Sequence, residues 1–126
     1  GHGDELVLAD AHFPGESLGQ EVIRADGLKI PDLLRAILPL YAIDTHDEHP
    51  LIMMAPVEAD RVDPNVESSY RAIIGELRPG TPTIHKLERF DFYERAQEAF
   101  VVVQTGDTAT YANIIIRKGV TPLRSF

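Results

Sequence analysis

Titratable side chains stand on both sides of a short apolar run near the start of the chain. His2 precedes residues 6–9 (LVLA), and Asp10 and His12 follow them. Such a run, bounded by acidic residues and a Pro-Gly pair, is typical of a strand buried on both faces. Because an imidazole has a pKa of about 6.5, His2 and His12 could exchange a proton near neutral pH. The spacing indicates general acid or base chemistry, although a Gly-His start also fits a cloning remnant.

A later tract, LERFDFYERA, offers a cation and a phenol among aromatic residues. Arg89 and Tyr93 supply these two groups. The alternative is an amphipathic helix that turns Phe90 and Phe92 toward the core and its charges toward solvent, and the pattern alone favours it. The tract by itself therefore makes Arg89 and Tyr93 candidates without assigning them a role.

The tract TYANIII places a phenol and an amide two residues apart. If residues 111–118 form a strand, Tyr111 and Asn113 point to the same face of it. Both side chains can donate and accept hydrogen bonds, as recognition of sugar hydroxyls requires. A solvated pair on an open sheet face is the alternative that this segment leaves open.

The segment 42–50 contains the only arrangement that looks like a metal site in the sequence. His46 and His49 enclose Asp47 and Glu48, and imidazole and carboxylate are both zinc ligands. The segment is polar and lacks a third placed ligand, so a solvated acidic loop is the favoured interpretation. His85 lies in a predicted strand and receives no role.

Composition and missing motifs narrow the classes of function. Twenty acidic against twelve basic residues give a net charge of −8, which repels nucleic acid and anionic membranes. The sequence has no cysteine and no apolar run of the roughly 20 residues that span a bilayer. It also lacks the dinucleotide, P-loop, hydrolase-elbow and zincin motifs. We therefore expect a soluble, cytoplasmic protein that binds neither nucleic acid nor membranes.

Apolar patterning predicts helices and strands that alternate along all 126 residues. Helices are predicted over 28–41, over 63–78 with Asp63 as N-cap and Pro64 in the first turn, and over 91–99. Strands are predicted over 6–9, 21–25, 51–57, 83–87, 100–105 and 111–118. This alternation, without linker or repeat, predicts one α/β domain whose sheet is covered by helices.

Four tracts carry a resemblance to a known family. They are GHGDELVLADAHFP, VIRADGLKIPDLLRAILPL, MMAPVEAD and ERFDFYERAQEAFVVVQTGDTATYANIIIRKGV. In this order, over nearly the whole chain, they resemble the L-fucose mutarotase branch of the D-ribose pyranase and L-fucose mutarotase family. The resemblance implies a single mutarotase-like domain over residues 1–126 with a mixed sheet covered by helices. The helical segment that precedes the Gly-His motif in the family is expected to be absent from this domain.

The resemblance also implies roles for individual residues. The proton-donating histidine of the family corresponds to His2, which argues against a cloning remnant there, and Tyr111 is expected to be the second protic group. The residues implied to bind substrate are Asp10, Arg89, Tyr93, Tyr111, Ala112 and Asn113.

The implied reaction interconverts the α and β anomers of L-fucose, and of related sugars such as D-ribose, without a cofactor or a metal. The resemblance further implies a ring-shaped homo-oligomer with sites near its subunit contacts. Two alternatives stay open. One is a sugar-binding or regulatory module without turnover, since a fold does not guarantee activity. The other is a small metal-dependent enzyme that uses His2, His12, His46 and His49.

Overall fold

Six strands form one sheet through the centre of the protein. The computed structural model describes residues 3–19, 21–58 and 60–119. The strands are β1 (Glu5–Ala9), β2 (Val22–Ala25), β3 (Leu51–Met54), β4 (His85–Leu87), β5 (Val101–Thr105) and β6 (Ile114–Arg117). They lie in the order β2-β5-β1-β6-β3-β4. β6 is antiparallel to both of its neighbours, whereas the other strand pairs are parallel. The predicted mixed sheet is thus confirmed.

Three helices cover the two faces of this sheet: α1 (Ile30–Ile37), α2 (Pro64–Leu77) and α3 (Arg89–Gln97). α1 and α2 pack on the face that carries Leu6 and Leu8, and α3 packs on the face that carries Val7 and Ala9. Because successive side chains of β1 enter opposite apolar layers, its sequence is a continuous apolar run. None of the described helices is long and apolar enough to cross a membrane.

All three helices begin at side-chain caps. At the start of α3, Oε1 of Glu88 accepts the backbone N–H of Asp91 at 2.8 Å. The Asp63 carboxylate accepts the backbone N–H of Asn65 at 2.9 Å, and Pro64 occupies the first turn of α2, as the sequence predicts. For α1, the cap comes from a distant part of the chain, because the N–H of Ile30 donates to Oδ2 of Asp107 at 3.1 Å. The loop after β5 is thereby fixed to the start of α1.

A buried carboxylate attaches α3 to the amino end of β1. Oε1 and Oε2 of Glu5 accept hydrogen bonds from Nε and Nη2 of Arg95 at 2.7 and 2.6 Å. The hydrogen bond from Arg95 to Glu5 raises the pKa of Arg95. Arg117 lies 3.8 Å from the same carboxylate and donates from Nε to Oδ2 of Asp44 at 3.1 Å. These paired charges hold α3 in a fixed place on the sheet.

Several predicted boundaries are wrong, and two of these errors concern candidate site residues. α3 begins at Arg89, and Phe90 is 77% exposed whereas Phe92 is fully buried. Helical residues two apart point about 200° apart, so Phe90 cannot share the core face with Phe92. β6 begins at Ile114, three residues later than predicted. Tyr111 has a φ of 54°, a left-handed conformation that extended backbone cannot contain.

Gly106 permits a close approach between two turns beside β5. A Cβ at this position would lie 2.0 Å from the carbonyl oxygen of Asp26. Gly106→Ala is therefore expected to lower the free energy of unfolding by about 1–3 kcal/mol through overpacking. Urea denaturation measures the loss, with Gly27→Ala as control, because a Cβ there meets no atom within 4 Å. Equal stability of the two variants would contradict this prediction.

Candidate functional site

A cavity of about 170 Å³ opens at one edge of the sheet. Asp10 follows β1, Met54 ends β3 and Asn113 precedes β6, so two strand carboxyl ends and one amino end meet there. Ligands of open α/β sheets bind at this edge. The polar lining residues are Asp10, His12, Asp60, Arg89, Thr110 and Asn113. The apolar and aromatic lining residues are Phe13, Met54, Tyr93 and Tyr111.

Asp10 is a buried carboxylate at the base of this cavity, with 3% of its surface exposed. Burial raises the pKa of Asp10, and hydrogen bonds to backbone groups of His12 and Ala112 lower it less strongly. The N–H of His12 donates to Oδ1 of Asp10 at 2.9 Å. A buried acceptor held in this way can bind a hydroxyl group or hold a proton.

Asn113 is oriented by the backbone of Asp10. Its Oδ1 accepts the N–H of Asp10 at 2.8 Å, in a buried hydrogen bond between residues far apart in the chain. Because the oxygen is used in this way, the Nδ2 amide of Asn113 is left to donate hydrogen bonds into the cavity. Asp10 and Asn113 thus present an acceptor and a donor side by side.

Tyr111 connects the cavity to the segment after β3. The strand predicted over 51–57 ends at Met54, and the chain then turns across the cavity. The N–H of Val57 donates to the Tyr111 hydroxyl at 3.3 Å, and this hydroxyl donates to Oδ2 of Asp60. The left-handed backbone of Tyr111 aims its ring at this segment. Strained residues of this kind concentrate at functional sites.

α3 supplies a cation and an aromatic ring to the same cavity. Arg89 stands in the first turn of α3, and Tyr93 lies one turn later on the same side. The ring of Tyr93 packs against Phe13, with centroids 5.9 Å apart and planes tilted by 55°. The arrangement gives the cavity one aromatic wall next to a guanidinium group.

The structure brings together most, but not all, of the predicted site residues. Asp10, Arg89, Tyr93, Tyr111 and Asn113 line one cavity. Tyr111 and Asn113 do so from a turn and not from the strand face that their spacing predicts.

One predicted site residue, Ala112, does not line the cavity, and another, His2, cannot be placed in it or outside it. The methyl group of Ala112 is buried in the core between the sheet, α1 and α2, and its carbonyl oxygen accepts the Tyr70 hydroxyl at 2.7 Å. His2 lies outside the described residues. Its neighbour Gly3 donates its N–H to the carbonyl oxygen of Lys118 at 2.8 Å, at the amino end of β1.

The histidines of the metal-dependent alternative are not gathered in one place. His12 lines the cavity after β1, whereas His46 and His49 precede β3 and therefore lie toward the opposite edge of the sheet. The ring of His49 stacks on His85 at 3.9 Å. Within residues 3–19, 21–58 and 60–119, no group of three or more His, Cys, Asp or Glu is placed to hold a metal ion.

Sequence reasoning missed several residues of the cavity. Asp60 and Thr110 received no role, and neither did Phe13 and Met54, which looked like ordinary core residues. Asp60 lies in the tract MMAPVEAD that carries the family resemblance, but its partner Tyr111 is 51 residues away. No periodicity or local motif joins residues at such a distance. Only the packing of the segment after β3 reveals their contact.

An α/β sheet with a polar, partly aromatic cavity at its strand ends defines a protein that binds a small polar molecule. A sequence model of the RbsD / FucU transport protein family matches residues 1–121, and the chain belongs to this family.

Solved structures of the family have the same fold. The fucose mutarotase of Streptococcus pneumoniae, crystallised in complex with L-fucose, is 43% identical, with a TM-score of 0.91 over 97% of this chain and 86% of that chain. FucU from Bifidobacterium longum is 42% identical, with a TM-score of 0.89 over 96% and 87%. Bacillus subtilis RbsD, complexed with D-ribose, is 25% identical, with a TM-score of 0.75 over 96% and 86%.

Proposed function

We propose that this protein is an L-fucose mutarotase, an isomerase that interconverts the α and β anomers of the sugar. The observation that carries the proposal is one cavity in which a buried carboxylate, an amide, a phenol and a guanidinium converge, at Asp10, Asn113, Tyr111 and Arg89. Family membership and the 43% identity to a fucose mutarotase crystallised with L-fucose support the same substrate class.

The reaction needs only proton transfers. A base removes the proton of the anomeric hydroxyl, and a C1–O1 double bond forms as the bond from C1 to the ring oxygen breaks. The released electron pair on the ring oxygen takes a proton from an acid, which gives the open-chain aldehyde. After rotation about C1–C2 the ring oxygen adds to the other face of C1, and both protons return. Nothing is oxidised or reduced, so side chains that exchange protons suffice.

The described residues divide the work of binding and proton transfer. Asp10 accepts a sugar hydroxyl, while Asn113 Nδ2 and the Arg89 guanidinium donate to sugar oxygens. Tyr93 offers an aromatic wall to the apolar face of the pyranose ring. Tyr111 is the group of this chain that we assign to the exchange of the anomeric proton. Spontaneous mutarotation crosses a barrier of roughly 21 kcal/mol, so a modest contribution from each group is enough.

We propose further that a second copy of the chain supplies His2 to the cavity. Gly3 lies at the amino end of β1, whereas Asp10 lies past its carboxyl end. A strand of five residues spans about 16 Å, which is more than an imidazole side chain can reach from position 2. In a homo-oligomer, the amino ends of the strands of one subunit can meet the cavity of the next subunit. His2 can then reach a cavity although it is too far from the cavity of its own chain. The cytoplasmic location remains a prediction from the sequence.

Exchange NMR tests the proposed function directly. The anomeric signals of L-fucose are expected to exchange faster in the presence of catalytic amounts of the protein, and a chelator should leave this acceleration unchanged. D-Ribose, measured in parallel, reports specificity. Saturable binding of L-fucose without faster exchange would identify a binding module instead. Loss of the acceleration in chelator would favour a metal-dependent enzyme.

A further inference from the structure

The hydroxyl group of Tyr111 already donates its only proton in a hydrogen bond to the carboxylate of Asp60. The hydroxyl donates to Oδ2 of Asp60 and accepts the N–H of Val57. A phenol has one proton, so in this state the oxygen of Tyr111 can accept a hydrogen bond from a ligand but cannot donate one. Since Tyr111 lines the cavity, a sugar hydroxyl placed there would donate to it.

Asp60 has the features of a proton acceptor and not of a structural ion-pair partner. Its carboxylate lines the cavity, and within the described part of the chain it forms no salt bridge with Lys, Arg or His. Because its side chain is exposed, the ionised form of Asp60 does not have the large desolvation cost of a buried charge. The contact with Tyr111 is therefore its principal described interaction.

We infer that Asp60 is the positioning residue that makes Tyr111 a base toward the anomeric hydroxyl of the sugar. This inference rests on the proposed function. In the step, the anomeric O–H bond breaks and its proton forms a new O–H bond to Tyr111. The original O–H bond of Tyr111 breaks at the same time, and its proton passes to Oδ2 of Asp60. The ring oxygen takes its proton from the acid proposed above, His2 of a second copy, and ring closure reverses every transfer.

The two carboxylates of the cavity, Asp10 and Asp60, have different proposed roles: Asp10 binds the sugar, and Asp60 accepts a proton. Asp10 is buried and held by backbone N–H groups, so it suits the fixed binding of a hydroxyl. Asp60 is exposed and accepts the hydrogen bond of the Tyr111 hydroxyl, so it suits the transient uptake of a proton. A substitution at Asp60 should accordingly change the rate of turnover more than the binding of the sugar.

Asp60→Asn tests the inference because it keeps an acceptor oxygen for Tyr111 and removes the basic carboxylate. From exchange rates at rising L-fucose concentrations, kcat is expected to fall about 10- to 100-fold while KM changes less than about threefold. Glu58→Gln, an exposed change of equal charge in the same segment, should leave both constants unchanged. Tyr111→Phe should lose a similar factor, and the double variant Asp60→Asn, Tyr111→Phe should be no slower than Tyr111→Phe alone.

Chemical rescue distinguishes a proton acceptor from a residue that only supports the loop. Formate is expected to restore part of kcat in Asp60→Ala, after subtraction of the protein-free rate, and none in Asp60→Ala, Tyr111→Phe. A wild-type kcat in Asp60→Asn, or losses that multiply in the double variant, would overturn the inference while the mutarotase function stands. A wild-type protein that fails to accelerate exchange would instead overturn the proposed function.

Discussion

Replacement of His2 by Ala is expected to lower the rate of L-fucose mutarotation about 10²- to 10⁴-fold, the usual contribution of a positioned general acid or base. The sugar should still bind, because the groups that we propose to contact its hydroxyls, Asp10, Arg89 and Asn113, line the cavity independently of His2. Exchange NMR gives the rate, and titration of the anomeric signals gives the affinity. Full activity of a folded His2→Ala protein would remove His2 from the mechanism.

Mixing variants tests where His2 acts. If one copy supplies His2 to the cavity of the next, every site of His2→Ala alone and of Asp10→Asn alone is defective, and each variant alone should be at least about 10-fold less active than wild type. After they are unfolded and refolded together, about a quarter of the sites in a random mixture combine an intact His2 with an intact Asp10. Activity should therefore return to about that level. A mixture as inactive as its components, formed from chains shown to co-assemble, would place both residues in one chain.

Asp10→Asn is expected to lower kcat/KM about 10- to 100-fold, because a hydrogen bond to a charged acceptor contributes about 1.5–3 kcal/mol. The same substitution is expected to raise the melting temperature at neutral pH by a few degrees. The carboxylate is 3% exposed, and its burial disfavours the charged form. An amide keeps the Oδ1 acceptor for His12 and carries no charge.

The sign of the pH dependence follows from the raised pKa of Asp10. Folding favours the protonated form, so this contribution to stability is fully present below the unfolded pKa, about 3.9. It is lost as the pH rises through the folded pKa. The difference in melting temperature between Asp10→Asn and wild type should accordingly shrink in acid. Glu94→Gln, an exposed change of equal charge, should show no gain at pH 7. A less stable Asp10→Asn would mean that the charge is better satisfied than its burial indicates.

Local signals explain why much of the fold could be predicted from the sequence. Asp63 and Pro64 start α2 as their types require, and the apolar run of β1 follows from a strand with helices on both sides. The placement of Asp10, Arg89 and Asn113 in one cavity could be predicted from the family motifs, because the strand ends that carry or precede them meet at one edge of the sheet. These features depend on neighbours in sequence, or on a topology that alternation of helices and strands nearly determines.

The remaining parts of the site depend on contacts that local patterns do not encode. Tyr111 and Asn113 share a cavity because a left-handed turn precedes β6, and a period of two predicts the wrong geometry there. Asp60 meets Tyr111 only because β3 ends early and the chain crosses the cavity. Ala112 lies between two lining residues, yet its methyl group packs into the core, since adjacent residues turn in different directions.

The separation of Gly3 and Asp10 at opposite edges of the sheet has a consequence for how activity depends on protein concentration. With the proposed exchange of His2 between copies, an isolated chain holds two halves of two different sites and no whole one. Specific activity should then fall on dilution, as assemblies dissociate, even though every chain stays folded. In a closed ring, every cavity would receive a His2 from a neighbouring subunit. In an open row, one terminal cavity would lack a His2, and the His2 at the other end would have no cavity to enter. Selection for turnover would thereby act on the contact between subunits as strongly as on the cavity itself.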